Sequence, residues 1–521
     1  MLLTAIIVAV TPVLFPTPRK AAVVTPSARV QDSSAIAATP AATPAEISGA
    51  VPASGVAAVN ASTSMALPVA VAPAQEEFKS ISTGRAVYRF SNIGAAPVSA
   101  TMKGYENLAT KKGEVNLQLS SRALLTFAVV LQRDTIKLDK TAFQTMPQAG
   151  DSATGVTYST VAAGRPVTIS YRVDSAHYLI HVSGQVSGQG APAYVLIGLP
   201  STLPAVETDT TADIRALSYS FKPQRDNARG VPFAKLDPGE RKLEPGPLTW
   251  AAVKSKYFVF GIVNLAGSAF EEMTLVGGSR TSKLATSASA TVVKAVKNDA
   301  FAFDIYAGPQ QQNELLAVGR DFDHVNPYGW SFLQPVVNPI AALCIKLLLW
   351  MHEHLKLSYG WVLIIFGVCI RIILWPLNQS AMRSSLKMQE IQPRLAEVQK
   401  RYKDNPDKQR DEMMKVYKEA NASPFTALSG CLPMLIPMPV LFALFFVFQN
   451  TIEFRGVPFL WLTDISVRDP IFILPVLMGI SMYVLSWIGL RNAPPNPQAK
   501  MMSYMFPVMM TMFLANMASG L

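Results

Sequence analysis

The segment Tyr359–Leu377 constrains this chain most. In its wider context it reads SYGWVLIIFGVCIRIILW, an apolar run long enough for a membrane helix, and it carries one charge, Arg371. A charge inside such a run is costly and marks function, unless it lies near a helix end and reaches back to the interface. Arg371 stands a few residues before Trp375 and Pro376, so position alone leaves both readings open. A charged stretch from Arg383 to Glu419 follows, and then a Pro-rich apolar segment, GCLPMLIPMPVLFALFFVF. An intramembrane arginine, a polar hairpin and a proline-kinked helix in succession exceed what a simple anchor needs.

Three further apolar segments complete a set of spans at about 359–377, 428–450, 470–490 and 501–521. Loop 378–427 holds ten Lys or Arg against seven Asp or Glu, a net charge of +3. Loop 451–469 has Arg455 and Arg468 against Glu453, Asp464 and Asp469. Basic loops stay on the cytoplasmic side, so 378–427 is expected inside and 451–469 outside. The region preceding Tyr359 is then outside as well, in the periplasm of a Gram-negative-type cell. The overall net charge of +11 fits cytoplasmic loops better than a nucleic-acid site, because no basic run is interleaved with aromatics.

Upstream the pattern changes. Met1–Phe15 is apolar but short, lacks a basic stretch before it, and has Arg19 and Lys20 after it. It reads as a signal-peptide core or as the end of an uncleaved anchor, and residues 1–20 are taken as a truncated N-terminal membrane anchor. Residues 21–76 are mostly Ala, Pro, Ser, Thr and Val, the composition of a disordered linker. From 77 to 320 short alternating runs are separated by turn residues: 115–119, Tyr171/Val173, Tyr178/Ile180/Val182 and 256–263. Period-two runs at this density predict an all-β sandwich, and about 240 residues suffice to bury its own core. Residues 336–355 place Ile340, Cys344, Leu347, Leu348 and Met351 at helical spacing, with Lys346 and Glu353 polar. This predicts an amphipathic helix, lying in the interface or packed on neighbouring protein.

The hairpin is legible in detail. Met388, Ile391, Leu395, Val398 and Tyr402 form one stripe, 404–407 is a turn, and a second helix returns with Met413 or Met414 and Tyr417 toward the first. A docking or gating element explains two matched helices better than a solvated spacer does. Pro433, Pro437 and Pro439 each remove a backbone donor from the second span, which kinks the helix and opens room between neighbours. Signals of catalysis are weak. His177 and His181 fall on one side of a predicted strand without a third ligand. Cys344, Cys369 and Cys431 match neither zinc nor CxxC spacing and read as small hydrophobes. No carboxylate lies within the spans.

Several segments resemble the YidC membrane protein insertase family, in its Gram-negative-type form with a large periplasmic domain. They are GWVLIIFGVCIRIILWPL (360–377), MQEIQPRL (388–395), GCLPMLIPMPV (430–440), RGVPFLWLTDIS (455–466), DPIFILPVLMG (469–479) and MSYMFPVMM (502–510), with YAGP at 306–309 closing the β domain. The resemblance implies a multidomain chain: a periplasmic all-β sandwich, then an α-helical transmembrane bundle with a cytoplasmic helical hairpin. It implies a multi-pass protein of the bacterial inner membrane, with 356–521 as an insertase core that lacks the family's last span. The implied activity is insertion and folding of newly made membrane proteins, alone or beside the Sec translocon, with the ribosome and membrane lipid as further partners. No nucleic acid, cofactor or metal is implied, and no bond is made or broken. The family's groove arginine falls on Arg371. Pro437 stands where the family usually has glutamine, and Gly367 where it has a hydroxyl or small polar residue. Two other readings are weighed against this one: a transporter using Arg371 as an anion site, and a tethered periplasmic β-sandwich acting on carbohydrate.

Overall fold

A computed structural model describes residues 75–118, 123–131, 134–146, 154–187, 193–281, 284–326, 334–376, 379, 391, 393–403, 405–419, 438–491 and 497–520. The described residues fall in one compact unit, Val71–Leu521. The expected anchor over 1–20 and most of the linker over 21–76 lie outside the described residues, as do Pro433, Pro437 and Cys431.

The first half of that unit is a β-sandwich. Strands Phe78–Ser82, Ala86–Ser91, Ala96–Glu106 and Glu114–Asn116 form a four-stranded sheet, and fourteen further strands form one large sheet. All the pairings are antiparallel, as expected for a chain that folds back through short turns. Alternation is the cause of the layering. Along Arg165–Val173 the residues Val167, Ile169, Tyr171 and Val173 are buried while Arg172 is exposed. The strand Phe258–Asn264 is buried at every position, so it lies at the centre of the sandwich and shows no alternation. Two of the buried tyrosines keep their hydroxyls bonded: Tyr171 Oη donates to Ala95 O at 2.6 Å and Tyr219 Oη to Pro200 O at 2.8 Å. A polar tip would otherwise cost about 1–3 kcal/mol unpaired.

One strand changes partners midway. Arg241–Lys254 pairs with Phe270–Gly277 through its first half and with Phe258–Asn264 and Ser218–Pro223 through its second. The register shifts between Pro245 and Leu248, and a Cβ at Gly246 would sit 2.0 Å from Glu271 O. Only glycine lets the two backbones approach that closely at this bulge.

The second half is helical. Helix α1 (Thr210–Ala216) belongs to the sandwich and α2 (Gln312–Val318) closes it. Then come α3 (Gln334–Leu355), α4 (Tyr359–Ile373), α5 (Pro406–Glu419), α6 (Met438–Asn450), α7 (Ile473–Arg491) and α8 (Pro497–Leu514). The buried face of α3 is Val337, Ala341, Cys344, Ile345, Leu348 and Met351, which packs on α4, α6 and the 451–469 loop. The apolar stripe read from sequence is therefore rotated slightly, with Ile340 and Leu347 at its edge. Of the described helices, α3 is long and apolar enough to cross a membrane by length and composition; Tyr359–Ile373, Met438–Asn450, Ile473–Ile488 and Ser503–Leu514 are shorter apolar helices.

The described part of the hairpin is helical on both sides of its turn; Met388 and Asp404 lie outside the described residues. Residues 393–401 are helical, and α5 returns after a turn. Asn405 Oδ1 accepts from Lys408 N at 3.2 Å, Pro406 opens the helix, and Asp407 and Lys418 complement its dipole. Ile391, Leu395 and Tyr417 are buried together, with Met413 and Val416 beside them; Met414 is exposed, which settles the choice between the two methionines.

Candidate functional site

Arg371 lies in the last turn of α4, where a cation complements the helix dipole. Two faces of that helix differ. Val362 and Phe366 are buried against α3 and α6. Gly360, Gly367 and Arg371 share another face at helical spacing, and Gly367 and Arg371 are exposed. A Cβ at Gly360 would sit 2.1 Å from the Phe459 ring, so the 451–469 loop covers that end. A Cβ at Gly367 meets nothing within 4 Å, so the same face is open one turn before Arg371. Among the described residues no carboxylate is within ion-pair distance of Arg371.

A second charged centre joins the sandwich to the 451–469 loop. Arg455 Nε donates to both carboxylate oxygens of Glu207, at 2.8 and 2.9 Å, with both side chains almost fully buried. Its Nη2 donates to Glu106 O at 2.8 Å, and its guanidinium lies 5.5 Å from the Phe258 ring centroid. Burial pushes the Glu207 carboxyl up to about 7, against the downward pull of Arg455. Beside it, Asp213 is buried and accepts from the backbone N–H groups of Val206 at 2.9 Å and Lys256 at 3.0 Å. Lys256 Nζ in turn donates to Ser466 O at 3.2 Å. Loop 451–469 is thus clamped to the sandwich by two cations. In the sequence Arg455 is only one loop charge among several; its partner is 248 residues away, and no local signal links them.

The two histidines do not form a pair. His177 lies in a bend before strand Leu179–Val186, with Nδ1 3.1 Å from Glu314 Oε2. His181 is on that strand, with Nδ1 2.7 Å from Asp304 Oδ1, beside a cavity of about 410 Å³. Each imidazole therefore has its own carboxylate. Among the described residues no group of three His, Cys, Asp or Glu is placed to hold a metal ion. A neighbouring cavity of about 500 Å³ in the sandwich is bordered by Lys294, whose Nζ donates to Asn264 Oδ1 and to Ser268 Oγ at 2.7 Å. Burial lowers that ammonium to about 8. Cys344 and Cys369 are free.

Two family descriptions match the chain: the YidC periplasmic domain over residues 80–342, and the 60Kd inner membrane protein over residues 350–521. The chain belongs to the YidC family. The β-sandwich is accordingly the periplasmic domain of an inner membrane protein. The membrane protein insertase YidC of Chlorobaculum tepidum is 30% identical over 391 residues, 69% of this chain and 63% of its own length. That of Chlorobium luteolum is 32% identical over 405 residues, 70% of this chain and 67% of its own length. The chain thus spans about two thirds of these YidC relatives. Among solved structures, YidC from Thermotoga maritima aligns over 85% of this chain and 94% of its own, at 12% identity and a TM-score of 0.27. A galactose mutarotase-like protein from Lactobacillus casei aligns over 45% of this chain and all of its own, at 9% identity and a TM-score of 0.31.

Proposed function

We propose that this chain inserts and folds newly made membrane proteins. The observation that carries the reading is the family match, through relatives named membrane protein insertases that are 30% and 32% identical over about 70% of the chain. The open face of Gly367 and Arg371 on α4 supports a groove on that helix. In this reading the chain is multi-pass, with the four segments at about 359–377, 428–450, 470–490 and 501–521 as spans and the 378–427 hairpin in the cytoplasm. Residues 336–355 lie at the outer interface. The hairpin receives a polypeptide, and Arg371 draws its short acidic polar tail into the groove while the apolar segment slides into lipid.

The attraction is strong enough for the task. Two unit charges ~4 Å apart interact by about 4 kcal/mol at an effective dielectric of about 20, against about 1 kcal/mol in bulk water. The Sec translocon, the ribosome and membrane lipid are the partners of this reading. The relatives' names favour neither the transporter nor the carbohydrate-active alternative.

Depletion and complementation test it. In cells depleted of their own insertase, the protein is expected to restore protease protection of a small membrane protein with a short acidic outer tail. Arg371→Ala is expected to lower that insertion about tenfold or more, in line with the loss of one desolvated charge contact. If Arg371→Ala and deletion of 378–420 both leave insertion at the parental level, the groove and hairpin are not the mechanism.

A further inference from the structure

A cavity of about 490 Å³ lies between the sandwich and the ends of the helices, away from Arg371. Its walls come from separate parts of the chain. Arg215 at the end of α1 and Lys256 come from the sandwich, Gln449 and Asn450 from the end of α6, and Arg468 from the 451–469 loop. Phe513 of α8 and Met517 just after it form the remaining side. The turn after α8 is tied to the loop that carries Arg468. Ser519 N and Oγ each donate to Val467 O at 2.8 Å, and Gly520 N donates to Ile465 O at 2.9 Å. The cavity is therefore bounded by bonded elements.

Its chemistry is one-sided. Three cations face one carboxylate, Asp209, for a net charge of +2, and Asp209 Oδ1 already accepts from Ala212 N at 2.9 Å. The side chains of Arg215, Arg468, Gln449 and Asn450 have no hydrogen bond or ion pair with any described residue. Unused donors and positive charge converge, so the complementary ligand is an anion rich in acceptor oxygens. A free anion would need only the donors. Here the cationic wall adjoins a bare apolar one: Phe513 is 58% exposed and Met512 before it 70%. Donors beside exposed apolar helix match a molecule with a phosphate at one end and hydrocarbon at the other.

We propose that this cavity holds the phosphate of an anionic phospholipid of the outer leaflet, with its acyl chains lying along α8. The leaflet follows from the reading that puts the 451–469 loop outside. Arg215 and Arg468 grip the phosphate, Gln449 and Asn450 donate to its ester or glycerol oxygens, and Phe513 meets the first methylenes. The bound lipid then bridges the periplasmic domain and the helices beside the Arg455–Glu207 clamp.

The test uses the full chain in nanodiscs of phosphatidylethanolamine with a minor fraction of phosphatidylglycerol, with retained lipid measured by native mass spectrometry. Phosphatidylglycerol is expected to stay bound, and Arg215→Gln with Arg468→Gln is expected to lower its retention about tenfold. Arg215→Lys with Arg468→Lys, which keeps the charge, should retain most of it. Unchanged retention in the glutamine variant overturns the proposal. So does an equal loss in Lys111→Gln with Lys112→Gln, two exposed cations elsewhere on the sandwich, since that would be bulk electrostatics. Displacement of the lipid by inorganic phosphate alone would make this an ion site and also overturns it. Retention is read on the purified chain without any insertion activity, so its failure is distinct from failure of the insertase reading. Proteoliposomes with phosphatidylglycerol in one leaflet at a time test the leaflet separately: retention from the leaflet facing the 378–427 loop would overturn that part.

Discussion

The sandwich and the helices handle the same apolar residue types in opposite ways. In the sandwich, Trp250, Tyr88, Phe221, Phe258 and Phe260 are fully buried, and large exposed hydrophobics such as Val161 and Leu243 are scattered. On α7 and α8 the large apolar side chains face outward: Val476, Leu477, Ile480, Val484, Leu485 and Ile488 on one, Met505, Val508, Met509 and Met512 on the other. A contiguous exposed apolar surface is costly in water and ordinary in lipid. The two halves thus show which solvent each was built for. The comparison also explains where charges go. In the sandwich Glu207 is buried against Arg455 and Asp213 against backbone N–H groups, whereas α4 leaves Arg371 on an open face.

The sharpest break in that contrast comes from paired truncations. Trp250→Ala is expected to destabilise the sandwich by about 3–5 kcal/mol, because it leaves a cavity and frees Arg320 O, which Trp250 Nε1 now bonds at 3.2 Å. Val484→Ala, on the outward-facing surface of α7, is expected to change stability by about 0.5 kcal/mol or less. Urea midpoints followed by circular dichroism measure both, and equal effects would erase the distinction between the two halves. Next comes the clamp. Arg455→Ala leaves Glu207 buried without its partner and is expected to cost about 3 kcal/mol, seen as earlier unfolding and faster proteolysis of the 451–469 loop.

Smaller effects sharpen the picture. Gly360→Ala drives a methyl into Phe459 and is expected to cost about 1–3 kcal/mol, whereas Gly367→Ala meets open space and is expected to stabilise α4 by about 0.5–1 kcal/mol. Thermal unfolding in detergent should separate the two signs. The last effect is on pH. The Glu207 carboxyl has a folded value of about 7 against 4.5 when unperturbed, so the folded chain holds the extra proton between these values. Stability from this group is complete below about 4.5 and declines as pH rises toward about 7. In Glu207→Gln that decline should vanish, so its melting temperature should vary less between those two pH values than that of the parent.

Much of this was legible locally. Alternation at Tyr171 and Val173 announced a strand because the side-chain period of a strand is two. The facing residues of the hairpin, Ile391 and Leu395 on its first helix and Tyr417 on its second, were legible because helical faces repeat every three to four residues. Arg371 stood out because charge is rare in an apolar run. The placement of both histidines on one strand failed for a local reason: a bend at 175–178 takes His177 off the strand, and each imidazole meets a distant carboxylate, Glu314 or Asp304.

The sequence by itself determined the division of this protein into a sandwich and apolar helices, the hairpin between α4 and α6, and the position of Arg371. These follow from short-range periodicity and from the cost of placing each side chain in water or lipid. Tertiary structure alone decided that Arg241–Lys254 would change partners at Gly246, that Glu207 would meet Arg455, and that Arg215, Arg468 and Asn450 would line one cavity. Those depend on contacts between residues tens to hundreds of positions apart, which only the folded backbone brings within a few ångströms.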